Sequence, residues 1–431
     1  MPTAHAQQKP GFATPPSVAS ARGSSAPVDD SSRLRALDAL RGFAVLGILL
    51  VNVQSFAMPG AAYMNPTAYG DLTGANLGVW ALTHTLFDQK FISIFSMLFG
   101  AGILLFADRA EAAGRKPWRL HYRRMGWLLM IGLAHAHLIW YGDILVSYAL
   151  CGMILYPLRK RGARTLLVLG VVWIAIGSAV MLAMGASMAF WSPDAVESFT
   201  RGSWQPTAEM IAREVATYRS GWLDQMPLRS RAALSLETML FLIVFFWRVG
   251  GLVLIGMGLH KLGVFAGTAR RGVYVAMVIA ALLIGIPTVA YGAWRNFATG
   301  WDVRYSFFFG SQFNNWASLI VALGWVGALH LLVRSGMLMT LVRRLEAVGR
   351  TALTQYILQS VIATLVFYGH GLGLFGQVDR VWQVVIVAAI WSLQLLVAPA
   401  LVRRLHFGPL EWGWRSLTYG RRQPFVREVT A

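Results

Sequence analysis

The chain has 431 residues, of which 56% are hydrophobic and 13% charged, with a formal net charge of +19. An ordinary soluble domain carries about 25% charged residues, so this composition excludes a disordered chain and argues against a soluble enzyme. Cys151 is the single cysteine, which excludes an intrachain disulfide, a thiolate cluster and a zinc ribbon.

Residues 1–32 are rich in Ala, Ser, Pro and Gly and carry no apolar period, so they read as a disordered cytoplasmic tail. A spanning helix needs about 20 mostly apolar residues. Ten runs approach that length, at 38–57, 85–106, 125–141, 144–158, 165–190, 234–259, 273–293, 316–333, 353–373 and 381–401. They predict an all-α, polytopic transmembrane helix bundle of about ten spans within 33–422. The third and fourth runs are short and separated only by Tyr141–Gly142–Asp143, a tight helical hairpin. The long stretch 191–233 holds Pro193, Pro206 and Pro227 around polar residues and reads as an extracytoplasmic helical insert lying on the bundle. Residues 423–431 form a second cytoplasmic tail.

Most of the 38 Lys and Arg residues fall in alternate inter-span segments, on the side of the N-terminus. Basic loops resist translocation, which places both termini in the cytoplasm. The high net charge is then a consequence of topology: the partner is the lipid bilayer, and no nucleic acid is implied.

An ionisable group inside hydrocarbon is expensive, so each one is a candidate for function. In the first span Asp38, Arg41 and Asn52 fall within about 60° of one another on a helix, either as a binding stripe or as an i,i+3 ion pair with a separate interhelical amide. The third span carries His135 and His137, with Asp143 on the turn that follows. A histidine beside a carboxylate can serve as a general base; a neutral interhelical bond and a helix cap are the structural alternatives. His84 and Asp88 stand i,i+4 at the start of the second span. Arg248 lies mid-span, eleven residues after Glu237, and needs a partner such as Asp143 or Glu237, or an anionic ligand. The ninth span interrupts its apolar run with Thr354, Gln355, Tyr356, Gln359 and Ser360. These side chains of the first, third, sixth and ninth spans are expected to meet in one pocket. No nucleotide-phosphate loop, HExxH pair, GxSxG elbow or zinc-ligand spacing occurs, so no metal is expected.

Five stretches resemble the YeiB-like family of bacterial inner-membrane proteins, a domain of unknown function, over about 33–422. They are Arg35-x-x-Asp38-x-x-Arg41–Gly42 with Asn52, Phe95–Ser96–Met97–Leu98–Phe99–Gly100, and His135 with Trp140-x-Gly142–Asp143–Ile144–Leu145. Further along come Gly349–Arg350-x-Ala352–Leu353–Thr354-x-Tyr356 and Gly408–Pro409–Leu410–Glu411–Trp412-x-Trp414–Arg415. The resemblance implies a multi-pass protein of the bacterial inner (plasma) membrane. More distantly, the first-span pattern is similar to that of membrane acyltransferases of the heparan-glucosaminide acetyltransferase type. That similarity implies acyl-CoA as a cytosolic co-substrate and a small-molecule or glycan acceptor on the other face. Asn52 stands eleven residues after Arg41, where bacterial O-antigen acyltransferases carry histidine, and 58–76 holds no histidine; His135 or His84 would then be the base.

Three function classes compete. In an acyltransferase, His135 deprotonates the acceptor, Asp143 orients the imidazole, Arg41 with the cytoplasmic basic loops holds the CoA phosphates, Asp38 and Asn52 are further substrate-binding candidates, and Arg248 and Gln359 polarise the thioester carbonyl. A transporter or exporter of a small anionic solute would use Arg248 as its midplane site, and breakers such as Pro287 and Pro399 are compatible with it. A sensory or scaffold protein would need no ligand at any of these residues.

Overall fold

The structure, a computed structural model, describes residues 30–427, with side chains from residue 35 onward; the expected tail up to residue 29 lies outside that range. No β-strand occurs among the described residues, where the only β-type pairing is an antiparallel bridge between Leu405 and Val426. Among the described residues, seven helices are long and apolar enough to cross a bilayer. They begin with α1 (Asp30–Ala57). The second is a bent pair, α2 (Gly74–Leu86) and α3 (Lys90–Ala112), broken where Gln89 takes a φ of 62°.

Two shorter helices follow, α4 (Pro117–Leu138) and α5 (Leu145–Leu155), and then α6 (Ala163–Ser187). A short helix, Pro193–Phe199, and α7 (Ala208–Tyr218) precede α8 (Met226–Lys261), α9 (Arg271–Ala298) and α10 (Val303–Ser335). The chain closes with the amphipathic α11 (Met339–Arg350), α12 (Ala352–Phe367), α13 (Arg380–Arg404) and α14 (Pro409–Tyr419).

The runs expected at 144–158 and 353–373 fall on α5 and α12 and are shorter as helices than as runs, whereas the run at 125–141 falls on α4, which starts earlier, at Pro117, and stops at Leu138. The 11 residues of α5 rise only about 16 Å, against a hydrocarbon core of about 30 Å. Hydropathy reads through the apolar and aromatic residues of the flanking turns, whereas the helix stops at them. These helices nevertheless run between the two ends of the bundle. At one end Gly376 N donates to Ala57 O (2.7 Å), Gly369 N to Tyr218 O (2.8 Å) and Trp222 Nε1 to Leu138 O (3.0 Å). At the other, Trp414 Nε1 donates to Arg124 O (2.9 Å) and Lys261 Nζ to Arg161 O (2.7 Å).

The middle of the bundle is built on close backbone crossings. A Cβ added at Gly42 would lie 2.0 Å from Leu345 O, and one at Gly349 would lie 1.8 Å from Asp38 O, so α1 and α11 touch through glycine. Gly100 and Gly256 do the same for α3 and α8. Small residues let helices approach where the hydrophobic effect gives no drive between them. Outside, Leu242, Leu282, Leu283, Ile284, Trp382 and Leu396 are exposed, as lipid-facing residues of a membrane protein should be.

Candidate functional site

The histidine site begins where α4 ends. Its last carbonyls are held by Arg229 of α8, a wholly buried side chain whose Nε donates to His137 O (3.2 Å) and Nη1 to Ile139 O (3.4 Å). A cation suits the negative end of a helix. The chain then turns, and Asp143 uses its two oxygens separately. Oδ1 accepts from Val146 N (2.8 Å) and caps the first turn of α5, while Oδ2 lies 2.7 Å from His135 Nδ1. Both side chains are about 1% exposed. Gly132, one turn before His135, admits this arrangement: a Cβ there would lie 2.8 Å from Val146 N and 3.1 Å from Asp143 Oδ1.

A carboxylate only accepts, so His135 donates Nδ1–H to Asp143, and in the neutral imidazole the lone pair then lies on Nε2. That nitrogen is buried and has no hydrogen-bond partner among the described residues. The ring faces Tyr356 of α12 (5.1 Å between centroids) and the edge of Trp140 (6.3 Å). Tyr356 Oη and Trp140 Nε1 are likewise buried without partners. Buried polar atoms are normally satisfied; here one acceptor and two donor-bearing groups are left unsatisfied around the same imidazole. Trp140 is fixed by stacking on Phe56 (4.0 Å).

The other sequence-selected residues do not join this site, so the single shared pocket expected from the sequence is not formed. Asp38 and Arg41 pair with each other at 2.7 Å, half-buried, near the opposite end of α1; Asn52 is half-buried on the same helix. Arg248 meets neither Asp143 nor Glu237. Its guanidinium donates to Asn315 O, Ser93 Oγ (3.0 Å) and Ser318 Oγ (2.5 Å), and Glu237 instead pairs with His137 (3.2 Å). Gln359 spends its amide hydrogens on Gln394 Oε1 (2.9 Å) and Val45 O (3.3 Å), and Gln394 continues to Gln355 Oε1 (3.0 Å). Those hydrogens are therefore engaged by the protein and not directed at a thioester carbonyl. The physical reason is common to all: a polar group in an apolar bundle takes the nearest helix as partner.

Sequence reasoning did not single out Lys90, which lies near the start of the second apolar run. Lys90 is fully buried and donates to His84 O and Asn314 Oδ1, both at 2.6 Å. Asn314 passes the connection to Asp88 (2.8 Å), which also meets His84 (3.3 Å). The available signal was Lys90 lying between Asp88 and an uninterrupted apolar run. Removing its ammonium leaves two buried acceptors unpaired, at about 1–3 kcal/mol each; Lys90→Ala is expected to lower the midpoint of thermal unfolding in detergent by several degrees.

Glu411 explains two of the sequence stretches at once. Its carboxylate accepts from Leu353 N (2.6 Å), Thr354 N (3.1 Å) and Thr354 Oγ1 (2.5 Å), capping α12 from outside the helix. Burial raises its carboxyl above the usual range, opposed by these hydrogen bonds. Glu411→Ala should cost about 1–2 kcal/mol, the worth of a strong N-cap, and Glu411→Gln distinctly less, measured by the same unfolding assay. Among the described residues no cluster of His, Cys, Asp or Glu could hold a metal ion.

A family described as "Protein of unknown function (DUF418)" matches residues 259–421. Similarity to single proteins extends over nearly the whole chain. The "Uncharacterized protein YeiB" of Escherichia coli (strain K12) is 31% identical over 405 residues, covering 91% of this chain and 98% of its own. The "Uncharacterized protein YxaH" of Bacillus subtilis (strain 168) is 29% identical, covering 94% and 98%. An "Uncharacterized 39.9 kDa protein in amylase 3'region" of Bacillus acidopullulyticus is 26% identical, covering 94% and 99%. With that identity and end-to-end coverage, and with a helical bundle whose outer surface suits lipid, the chain belongs to the YeiB-like family of membrane proteins.

Proposed function

We propose that the protein is a membrane-embedded acyltransferase in which the His135–Asp143 pair is the general base. The observation that carries this reading is the unpartnered, buried Nε2 of an imidazole whose other nitrogen is held by a carboxylate. In the proposed step Nε2 takes the proton from an acceptor hydroxyl or amine as its heteroatom attacks the acyl carbonyl. The same nitrogen then gives that proton to the departing thiolate. Tyr356 Oη and Trp140 Nε1 would donate to the carbonyl oxygen as it gains charge. The acyl donor is proposed to be acyl-CoA, arriving from the arginine-rich face, and the acceptor a small molecule or glycan on the opposite face of the inner membrane.

Export of a small anionic solute through Arg248 is a second class the sequence admits. There the guanidinium already serves three protein oxygens, so the geometry supports transfer better than transport. The test is release of free CoA thiol from acetyl-CoA by the purified protein in detergent, with alcohol and amine acceptors supplied. Acceptor-dependent release supports the proposal. No release with any acceptor, together with Arg248-dependent solute uptake into proteoliposomes, overturns it.

A further inference from the structure

A cleft of about 350 Å³ opens between α4 and α14 at the arginine-rich end, lined by Arg123, Arg421, Arg422, Trp127, Trp412 and Leu417 among others. Its arginines come together across some three hundred residues through a specific fold of the chain. After α14 the backbone reverses at Gly420, whose φ is 65°. It then pairs with the segment after α13: His406 N donates to Phe425 O (2.9 Å) and Arg427 N to Arg404 O (3.0 Å). Trp412 Nε1 pins the return by donating to Gln423 O (2.8 Å). Arg421 and Arg422 are thereby carried back beside α14. Arg123 of α4 lies against the same turn, since a Cβ at Gly420 would fall 2.6 Å from its guanidinium.

No carboxylate lines the cleft, and none of its three arginines takes part in an ion pair among the described residues. All three are exposed. Like charges gathered without a counter-ion repel one another, and a planar guanidinium is suited to phosphate oxygens. The apolar setting identifies what carries the phosphate. Leu417 is exposed at the cleft, and Met130, on nearly the same face of α4 as Arg123 and about 10 Å further along, is exposed as well. Trp118 and Tyr122 are exposed on the flanking face, as aromatic residues are at the headgroup level of a bilayer.

We propose that this cleft binds the phosphate of an anionic phospholipid headgroup, with the acyl chains lying against Leu417 and Met130. Clustered arginines beside a bilayer surface attract acidic lipids, and here three of them share one open cleft. The site is independent of the histidine pair.

The test is calorimetric titration of the full chain in a non-ionic detergent with dioctanoyl-phosphatidylglycerol, dioctanoyl-phosphatidylcholine and glycerol 3-phosphate. The expected result is at least tenfold tighter binding of the phosphatidylglycerol than of either other probe. The Arg123→Gln/Arg421→Gln/Arg422→Gln variant should lose at least tenfold of that affinity. A variant with equal charge loss elsewhere, Arg270→Gln/Arg271→Gln/Arg343→Gln, should keep it. Unchanged affinity in the first variant, or an equal loss in the second, would overturn the site. Glycerol 3-phosphate binding as tightly as the lipid would reassign it to soluble phosphates and overturn the lipid assignment.

Discussion

Replacing His135 by Gln is expected to lower acceptor-dependent CoA release by about 10²–10⁴-fold, the usual contribution of a positioned general base, while leaving the protein folded. Glutamine can still donate toward Asp143, so the buried carboxylate keeps a partner and the loss reports the missing Nε2 lone pair. Asp143→Asn gives a sharper separation. The asparagine oxygen can still cap Val146 N, which in the native protein bonds Oδ1 at 2.8 Å. Its amide nitrogen would instead donate to His135 Nδ1 and force the ring proton onto Nε2. Activity should therefore fall by a similar factor with little change in thermal stability. Full activity in either variant would remove the histidine pair from the chemistry.

The second large effect is structural. Gly349→Leu is expected to destabilise the protein by at least about 3 kcal/mol, the upper range for overpacking, because the first added carbon would sit 1.8 Å from Asp38 O. That atom is backbone in a buried helix and cannot turn aside, so α1 and α11 must separate. Gly126→Ala on α4 is the control of opposite sign. A Cβ there meets nothing within 4 Å, and exchanging glycine for alanine in a helix gains about 0.5–1 kcal/mol. Thermal unfolding of both variants in the same detergent should move the midpoint in opposite directions. Equal behaviour would mean that the crossing of α1 and α11 is looser than described.

These two variants also mark how far the sequence could be read. The membrane bundle was legible because long apolar runs have few alternatives, and the His135–Asp143 pair because eight residues and a tight turn return the carboxylate to the imidazole. Partners chosen across helices were not legible. Gln394 lies 35 residues from Gln359 and Asn314 lies 224 from Lys90, and nothing local to either residue names the other. The expectation of one shared pocket failed for the same reason: Arg248 and Gln359 each found oxygens on adjacent helices. The glycines at 42 and 349 and the glutamate at 411 entered the sequence reading only as marks of family resemblance. In the structure, Gly42 and Gly349 serve a helix crossing and Glu411 caps a helix. Those roles depend on backbone positions that spacing along the chain does not reveal.

The proton position on His135 is the most direct check. Nitrogen-15 NMR of histidine-labelled protein at neutral pH should show a neutral ring protonated at Nδ1 and bare at Nε2, reverting in Asp143→Asn to the Nε2-protonated form. A His135 resonance already protonated at Nε2 in the native protein, or one indifferent to Asp143→Asn, would contradict a base held ready by this carboxylate.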